Sequence, residues 1–269
     1  MKLAEYLKTL PFINRSDALE FASHVTGIPY GEVPLRLSDE IALAADESEK
    51  LDRVRSGEPL AYVINNKNFY GMDFYTDPSV LIPRPETELL VSKALEIAAG
   101  RKRLRILDIC TGSGCILAAL LANLPDAHGV GLDISGAALA TAGKNFERHG
   151  LADRAELVQG DALKISGLGL GTFDIITCNP PYLSDTEWDS SDNSLKYEPK
   201  NALSAGDDAL LFYKKLMDMT PDLCNKNGGV LFELGLGQAD VLRALETCEK
   251  YTADKDYQHI ERVLSWINS

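Results

Sequence analysis

No run of about 18 apolar residues occurs in the 269-residue chain, so no membrane-spanning helix is expected. The opening MKLAEYLKTLPFINRSD has acidic and polar residues where a secretion signal needs an apolar centre, and a cytoplasmic protein is expected. Basic charge is short too. With 27 Lys and Arg against 40 Asp and Glu, the formal net charge is -13 and the isoelectric point about 4.8. No basic field is available to hold a phosphate backbone, so direct nucleic-acid binding is not expected and protein or small-molecule partners are. The five cysteines are odd in number and lack the C-x2-C spacing of a metal site. Free, mostly buried thiols in a reducing compartment are expected, with no metal centre.

What the chain does contain is enough apolar material, 45% of residues, for a large domain and a small one. Helical spacing of apolar positions predicts helices over 2–9, 16–26 and 38–56, with Ser16 and Ser38 as N-caps and Gly57 as a stop. Residues 1–58 are therefore expected to form a small helical domain for substrate recognition or support. From Pro59 the period changes. Tyr62, Ile64, Phe69, Tyr70, Phe74 and Tyr75 fall in short runs broken by Asn65-Asn66 and Gly71, which predicts a β-hairpin over 59–84 linking two domains. Pro85 or Thr87 then opens a helix whose first turn is acidic.

The remainder, 85–269, alternates strands with helices and predicts a mostly parallel sheet covered on both faces, an α/β fold. Strands are expected at 105–110, 129–133, 155–159, 173–178 and 229–234, with a last strand at 260–266 as the candidate antiparallel member. Helices are expected at 114–123, 136–149, 207–219 and 237–247, and a mobile polar rim at 184–194.

In such a sheet ligands bind beyond the carboxyl ends of strands, where strand order reverses. The first strand ends in Asp108-Ile109-Cys110-Thr111-Gly112-Ser113-Gly114, whose glycines let backbone approach a ligand. The second ends in Asp133, placed to accept ribose hydroxyls, and the third in Asp161-Ala162, with a carboxylate for an exocyclic amine. The fourth runs Phe173 to Cys178 and must stop at Asn179-Pro180-Pro181-Tyr182, because neither proline can donate to a ladder. A primary amide, free carbonyls and an aromatic face there would receive a planar group bearing N-H2. Together these ends describe a nucleoside-bearing cofactor.

The third glycine of a dinucleotide fingerprint is replaced by Leu117, and no G-K-[ST] follows the loop. Asp108 would repel a pyrophosphate but suit an ammonium and a sulfonium, which favours S-adenosylmethionine over a nicotinamide dinucleotide.

Gly57-Glu58-Pro59-Leu60-Ala61-Tyr62, Ile82 to Glu88 (IPRPETE), Asp108 to Gly114, Asn179 to Tyr182, Tyr197-Glu198-Pro199 and Glu233-Leu234-Gly235 span nearly the whole chain. This set resembles the protein-(glutamine-N5) methyltransferase family that acts on peptide chain release factors (HemK/PrmC). The resemblance implies a class I methyltransferase sheet, Rossmann-like and seven-stranded, and a substrate glutamine in the Gly-Gly-Gln loop of a release factor. Cys110, Cys115 and Ala162 depart from the family's usual glycine, alanine and aromatic. On this reading Asn179 and Pro180 are the catalytic pair, and Pro181 and Tyr182 complete the substrate pocket. Asp108, Cys110, Thr111, Gly112, Ser113, Gly114, Asp133, Asp161, Ala162 and Asn179 hold the cofactor. Arg84, Glu198 and Glu233 are positioning candidates, with buried structural roles favoured for the two glutamates. A glutamine methyltransferase for a ribosomal protein shares every motif; a base-methylating enzyme fits the acidic charge poorly, and a non-catalytic cofactor module fits Asn179 poorly.

Overall fold

The computed structural model describes residues 1–269, which divide into two compact units, Met1–Asn66 and Lys67–Ser269. The first is helical: α1 (Leu3–Leu7), α2 (Arg15–Thr26), α3 (Glu47–Arg55) and α4 (Leu60–Val63), closing on Tyr6, Phe21, Ala22, Val25 and Val33. Asn14 rather than Ser16 caps α2, accepting from the Asp17 amide at 3.0 Å. Two further expectations are corrected here. Residues 38–46 are not helical, because backbone groups around them bond the chain's first residues instead, Leu3 N–H to Asp39 and Ile41 N–H to Met1. The stretch 60–63 is helix rather than strand, since a buried apolar run of four does not by itself distinguish the two.

The second unit opens on a short hairpin, β1 (Lys67–Phe69) and β2 (Met72–Phe74), joined by Tyr70 and Gly71, both at positive φ. Two successive positive φ values match the right-handed twist of paired strands. The expected 59–84 hairpin is thus confined to 67–74. Then come α5 (Glu88–Ala98), β3 (Arg105–Ile109), α6 (Cys115–Asn123), β4 (His128–Asp133), α7 (Gly136–Arg148), β5 (Ala155–Gln159) and β6 (Phe173–Cys178). They are followed by α8 (Asp185–Asp189), α9 (Lys200–Leu203), α10 (Leu211–Leu223), β7 (Cys224–Glu233), α11 (Gln238–Leu242), β8 (Thr252–Lys255) and β9 (Glu261–Ile267).

The seven-stranded sheet has the order β5-β4-β3-β6-β7-β9-β8. Its first five strands are parallel; β9 runs antiparallel between β7 and β8, so that β8 points the same way as the first five. Edge strand β8 escapes sequence reading because its four residues are polar apart from Ala253 and largely solvated. Helix α6 is buried at every position from Cys115 to Leu121, so it reads as uniformly apolar rather than striped. The 184–194 rim expected to be mobile contains α8, whose start is fixed by a reciprocal Ser184–Glu187 capping box.

The architecture fixes one place for a ligand. From β3 the chain winds outward through β4 and β5, then returns to place β6 on the other side of β3. The carboxyl ends of β3 and β6 flank that reversal, with Ile109 level with Cys178.

Candidate active site

Beyond Ile109 the backbone coils tightly: Cys110, Gly112 and Gly114 lie at φ 59°, 55° and 78°. Cys110 therefore holds a conformation that glycine adopts freely and other residues rarely. Gly114 is crowded as well, since a Cβ there would lie 3.0 Å from the Phe146 ring and 3.1 Å from the Ala142 Cβ and those side chains would have to give way. The loop is tied to its neighbours. Thr111 N–H bonds the Leu132 carbonyl at 3.0 Å, and the Asp133 carboxylate accepts from the Gly112 and Ser135 amides, each at 2.9 Å. Burial raises the Asp133 carboxyl above its usual range despite those amides.

Asp108 lies beneath the loop, fully buried, and accepts from the Thr111 hydroxyl at 2.6 Å and the Thr177 hydroxyl at 2.8 Å. Burial pushes its carboxyl up to about 6. On the opposite side, Asp161 accepts from the Leu163 amide at 2.9 Å and pairs with the exposed Lys164. Asn145 of α7 is fully buried and bridges two segments: its Oδ1 accepts from Tyr75 N–H at 2.7 Å, and its Nδ2 donates to the Tyr75 and Ser113 carbonyls.

At the end of β6 the ladder stops at Cys178. The Asn179 Nδ2 donates to the Thr87 hydroxyl at 3.5 Å, while its Oδ1 is buried without a partner. No N–H or O–H of the chain donates to the Pro180 carbonyl. Tyr182 is held firmly, its N–H on the Leu203 carbonyl at 3.1 Å and its carbonyl accepting from Gln238 Nε2 at 2.7 Å. Gln238 Oε1 in turn accepts from Gly235 N–H, where a Cβ would collide with the Tyr182 ring at 2.8 Å.

These elements enclose a cleft of about 890 Å³, counting its open mouth. Cys110 to Ser113, Asp133, Asp161, Ala162, Asn179, Pro181 and Arg84 line it. Asp108, Gly114, Pro180, Tyr182, Glu198 and Glu233 stand outside its lining. Glu198 is 4% exposed, forms an ion pair with Arg84 and accepts from the Ile82 amide at 3.0 Å, which pins the strap Val80–Arg84 over the cleft. Glu233 is equally buried. Its carboxyl is pushed up to about 7 by burial, against the Thr87 hydrogen bond and the charge of Arg262.

Sequence reasoning missed Thr87, Asn145 and the Val80–Leu81 strap. Asn145 left one signal, a polar side chain on the face of α7 that also carries Leu139, Ala142 and Phe146. Thr87 looked like a helix start, and only the fold brings it to Asn179.

A family described as a methyltransferase domain matches residues 106–195. A protein of Geobacter sulfurreducens named release factor glutamine methyltransferase is 39% identical over 212 residues, covering 77% of this chain and 72% of that one. One of the same name from Nitratidesulfovibrio vulgaris is 41% identical over 202 residues, covering 74% and 68%. Among solved structures, a methyltransferase from Pyrococcus furiosus aligns with a TM-score of 0.54 at 20% identity, over 82% of this chain and 99% of that one, and so shares the fold.

Proposed function

The chain belongs to the release factor glutamine methyltransferase family and is an enzyme, and we propose that it transfers a methyl group from S-adenosylmethionine to a glutamine side-chain nitrogen in the Gly-Gly-Gln loop of a peptide chain release factor. The observation that carries this reading is the Asn179 Oδ1, a buried acceptor without a partner in a cleft at the reversal of strand order. Buried polar groups are ordinarily bonded, so such an atom awaits a donor. The substrate amide offers two N–H bonds, and the Asn179 Oδ1 and Pro180 carbonyl are two acceptors to receive them.

An amide nitrogen is a weak nucleophile because its lone pair is delocalised into the carbonyl. Holding both N–H bonds turns the nitrogen's remaining lobe toward the methyl donor, and approach to about 3 to 3.5 Å supplies the effective molarity on which such a reaction depends. Pro181 and the anchored Tyr182 stiffen the pocket and keep water from competing. No strong base is required, since the nitrogen becomes acidic once alkylated and loses its proton afterwards.

The cleft's donor set fits the cofactor. S-adenosylmethionine, when bound, supplies an electrophilic methyl on a sulfonium. Asp133 keeps free lone pairs for ribose hydroxyls and Asp161 for an exocyclic amine, while Gly112 brings backbone close without bulk. Asp108 contributes negative charge from behind Thr111, favouring a cationic ligand. Arg84, fixed by Glu198, shapes the entrance, and the helical unit Met1–Asn66 is assigned to substrate recognition.

The test is radiolabel transfer from S-adenosylmethionine to purified release factor, ribosomal protein or nucleic acid. Label is expected on release factor and lost on Gln→Ala in its Gly-Gly-Gln loop; equal labelling of that variant, or of another substrate alone, sinks the assignment. In the same assay Asn179→Ala abolishes turnover while cofactor binding by calorimetry changes far less.

A further inference from the structure

S-adenosylmethionine carries one anionic group, the carboxylate of its amino-acid end, beside a cationic ammonium and sulfonium, and a cleft that holds it must answer both signs. The acidic side is well supplied. Asp133 and Asp161 line the cleft, and Asp108 stands just behind it. Of the residues that line it only one is a cation, Arg84. The glycine loop is a poor substitute for binding an anion, because the Thr111, Gly112 and Gly114 amides already donate to Leu132, Asp133 and Thr111 within the chain.

Position agrees with charge. Asp161 follows β5 and Asp133 ends β4, both on one flank of β3, so the adenine and ribose assigned to them belong there. Arg84 instead precedes the Pro85–Thr87 turn that leads into α5, and α5 packs on β6 and β7, on the other flank. That flank also carries Asn179, beside which the methyl on the sulfonium has to be presented. The amino-acid tail leaves the same sulfur on the side away from the ribose, toward the flank that holds Arg84.

The guanidinium is fixed in place with donors to spare. The buried Glu198 accepts from Arg84 Nη2 with one oxygen and from the Ile82 amide at 3.0 Å with the other, so both of its oxygens are engaged. Arg84 has five N–H donors, and its Nε and Nη1 donate to no group of the chain. An arginine already oriented by a buried carboxylate loses little further freedom on meeting a second one, and its planar fork matches a carboxylate better than a point charge does.

We propose that Arg84 is the carboxylate-binding residue of the cofactor cleft: oriented by Glu198, its guanidinium receives the carboxylate at the amino-acid end of S-adenosylmethionine and makes the cleft selective for a cofactor with that group intact. This rests on the reading of the cleft as the S-adenosylmethionine site.

The experiment titrates S-adenosylmethionine and decarboxylated S-adenosylmethionine, which differ only in the carboxylate, into the parent protein and its Arg84 variants by calorimetry, without release factor. The parent is expected to bind the intact cofactor roughly 10- to 100-fold more tightly, the range of a charge-assisted hydrogen bond. Arg84→Met loses that margin. Its affinity for the intact cofactor falls by about the same factor, while affinity for the decarboxylated one does not fall, since that ligand carries only positive charge. Arg84→Gln, which can still donate to Glu198, shows the same selective loss and decides the matter if Arg84→Met fails to fold; Arg84→Lys keeps the charge without the fork and recovers part of the margin. Equal binding of the two ligands by the parent, or a loss shared equally by both in the neutral variants, overturns the assignment and leaves the cleft as the cofactor site. So do unchanged affinities beside a raised KM for release factor, because the guanidinium then serves a carboxylate of the protein substrate. A parent that binds neither ligand overturns the reading of the cleft as well.

Discussion

Asn145→Ala tests the frame on which the glycine loop after β3 hangs. The side chain makes three hydrogen bonds, of 2.7, 3.0 and 2.9 Å, and joins Tyr75, just beyond β2, to Ser113 in the glycine loop. Each bond contributes about 1 kcal/mol net, and the buried Ser113 carbonyl left unpaired costs more than a solvated one. Tyr75 is partly exposed, so water recovers some of its share. The expected loss is about 3 to 5 kcal/mol, or a fall in Tm of roughly 6 to 20 °C for a chain of this size. Asn145→Asp sharpens the test. One carboxylate oxygen still accepts from the Tyr75 amide, but the other then faces two carbonyls with no hydrogen to give. The introduced carboxyl is therefore pushed above the ordinary aspartate range in the folded state. A raised carboxyl favours folding below its unfolded value near 3.9, and that benefit is lost as pH rises through the folded value. Urea denaturation should thus find Asn145→Asp closer to the parent at pH 5 than at pH 8, while Asn145→Ala lies below it by a similar margin at both. A loss under about 1 kcal/mol for the alanine variant, or no pH dependence for the aspartate one, would refute the bridging role.

Glu198→Ala leaves the Ile82 amide buried without an acceptor and Arg84 without its carboxylate; with Arg84 discounted because its side chain is a third exposed, the expected loss is about 2 to 4 kcal/mol. Hydrogen exchange at the Ile82 amide should rise with it, and unchanged protection there would contradict the strap's attachment. Asp108, raised to about 6 by burial, opposes folding when ionised, so its contribution is best below about pH 4 and is lost as pH rises through about 6. Asp108→Asn should remove that slope, roughly 3 kcal/mol between the two limits, and weaken cofactor binding; an unchanged pH profile of unfolding would show the carboxylate is not strained by burial.

The strand ends were legible because each had a local cause. Prolines at 180 and 181 cannot continue a ladder, glycines at 112 and 114 permit the left-handed turns found there, Asp133 closes β4, and Asp161 lies two residues past the end of β5. The alternation of strand and helix determined a parallel sheet, and with it the end at which a ligand binds. What failed locally failed for a reason of distance. In the 38–46 stretch Asp39 and Ile41 bond the chain's first residues and Ala44 bonds Val25, and edge strand β8 depended on β9 for its pairing.

The apolar periodicity, the glycines and the prolines lie within a few residues of what they control, so the sequence by itself determined the sheet, its open end and the carboxamide displayed there. Only the tertiary structure decided that Asp108 stands behind the loop, that Glu198 reaches across 114 positions to Arg84, and that a helix-start threonine meets Asn179 92 positions later. Those pairings follow from packing α5 and the strap beside β6, and burial then governs the charge of each carboxylate, which no local pattern records.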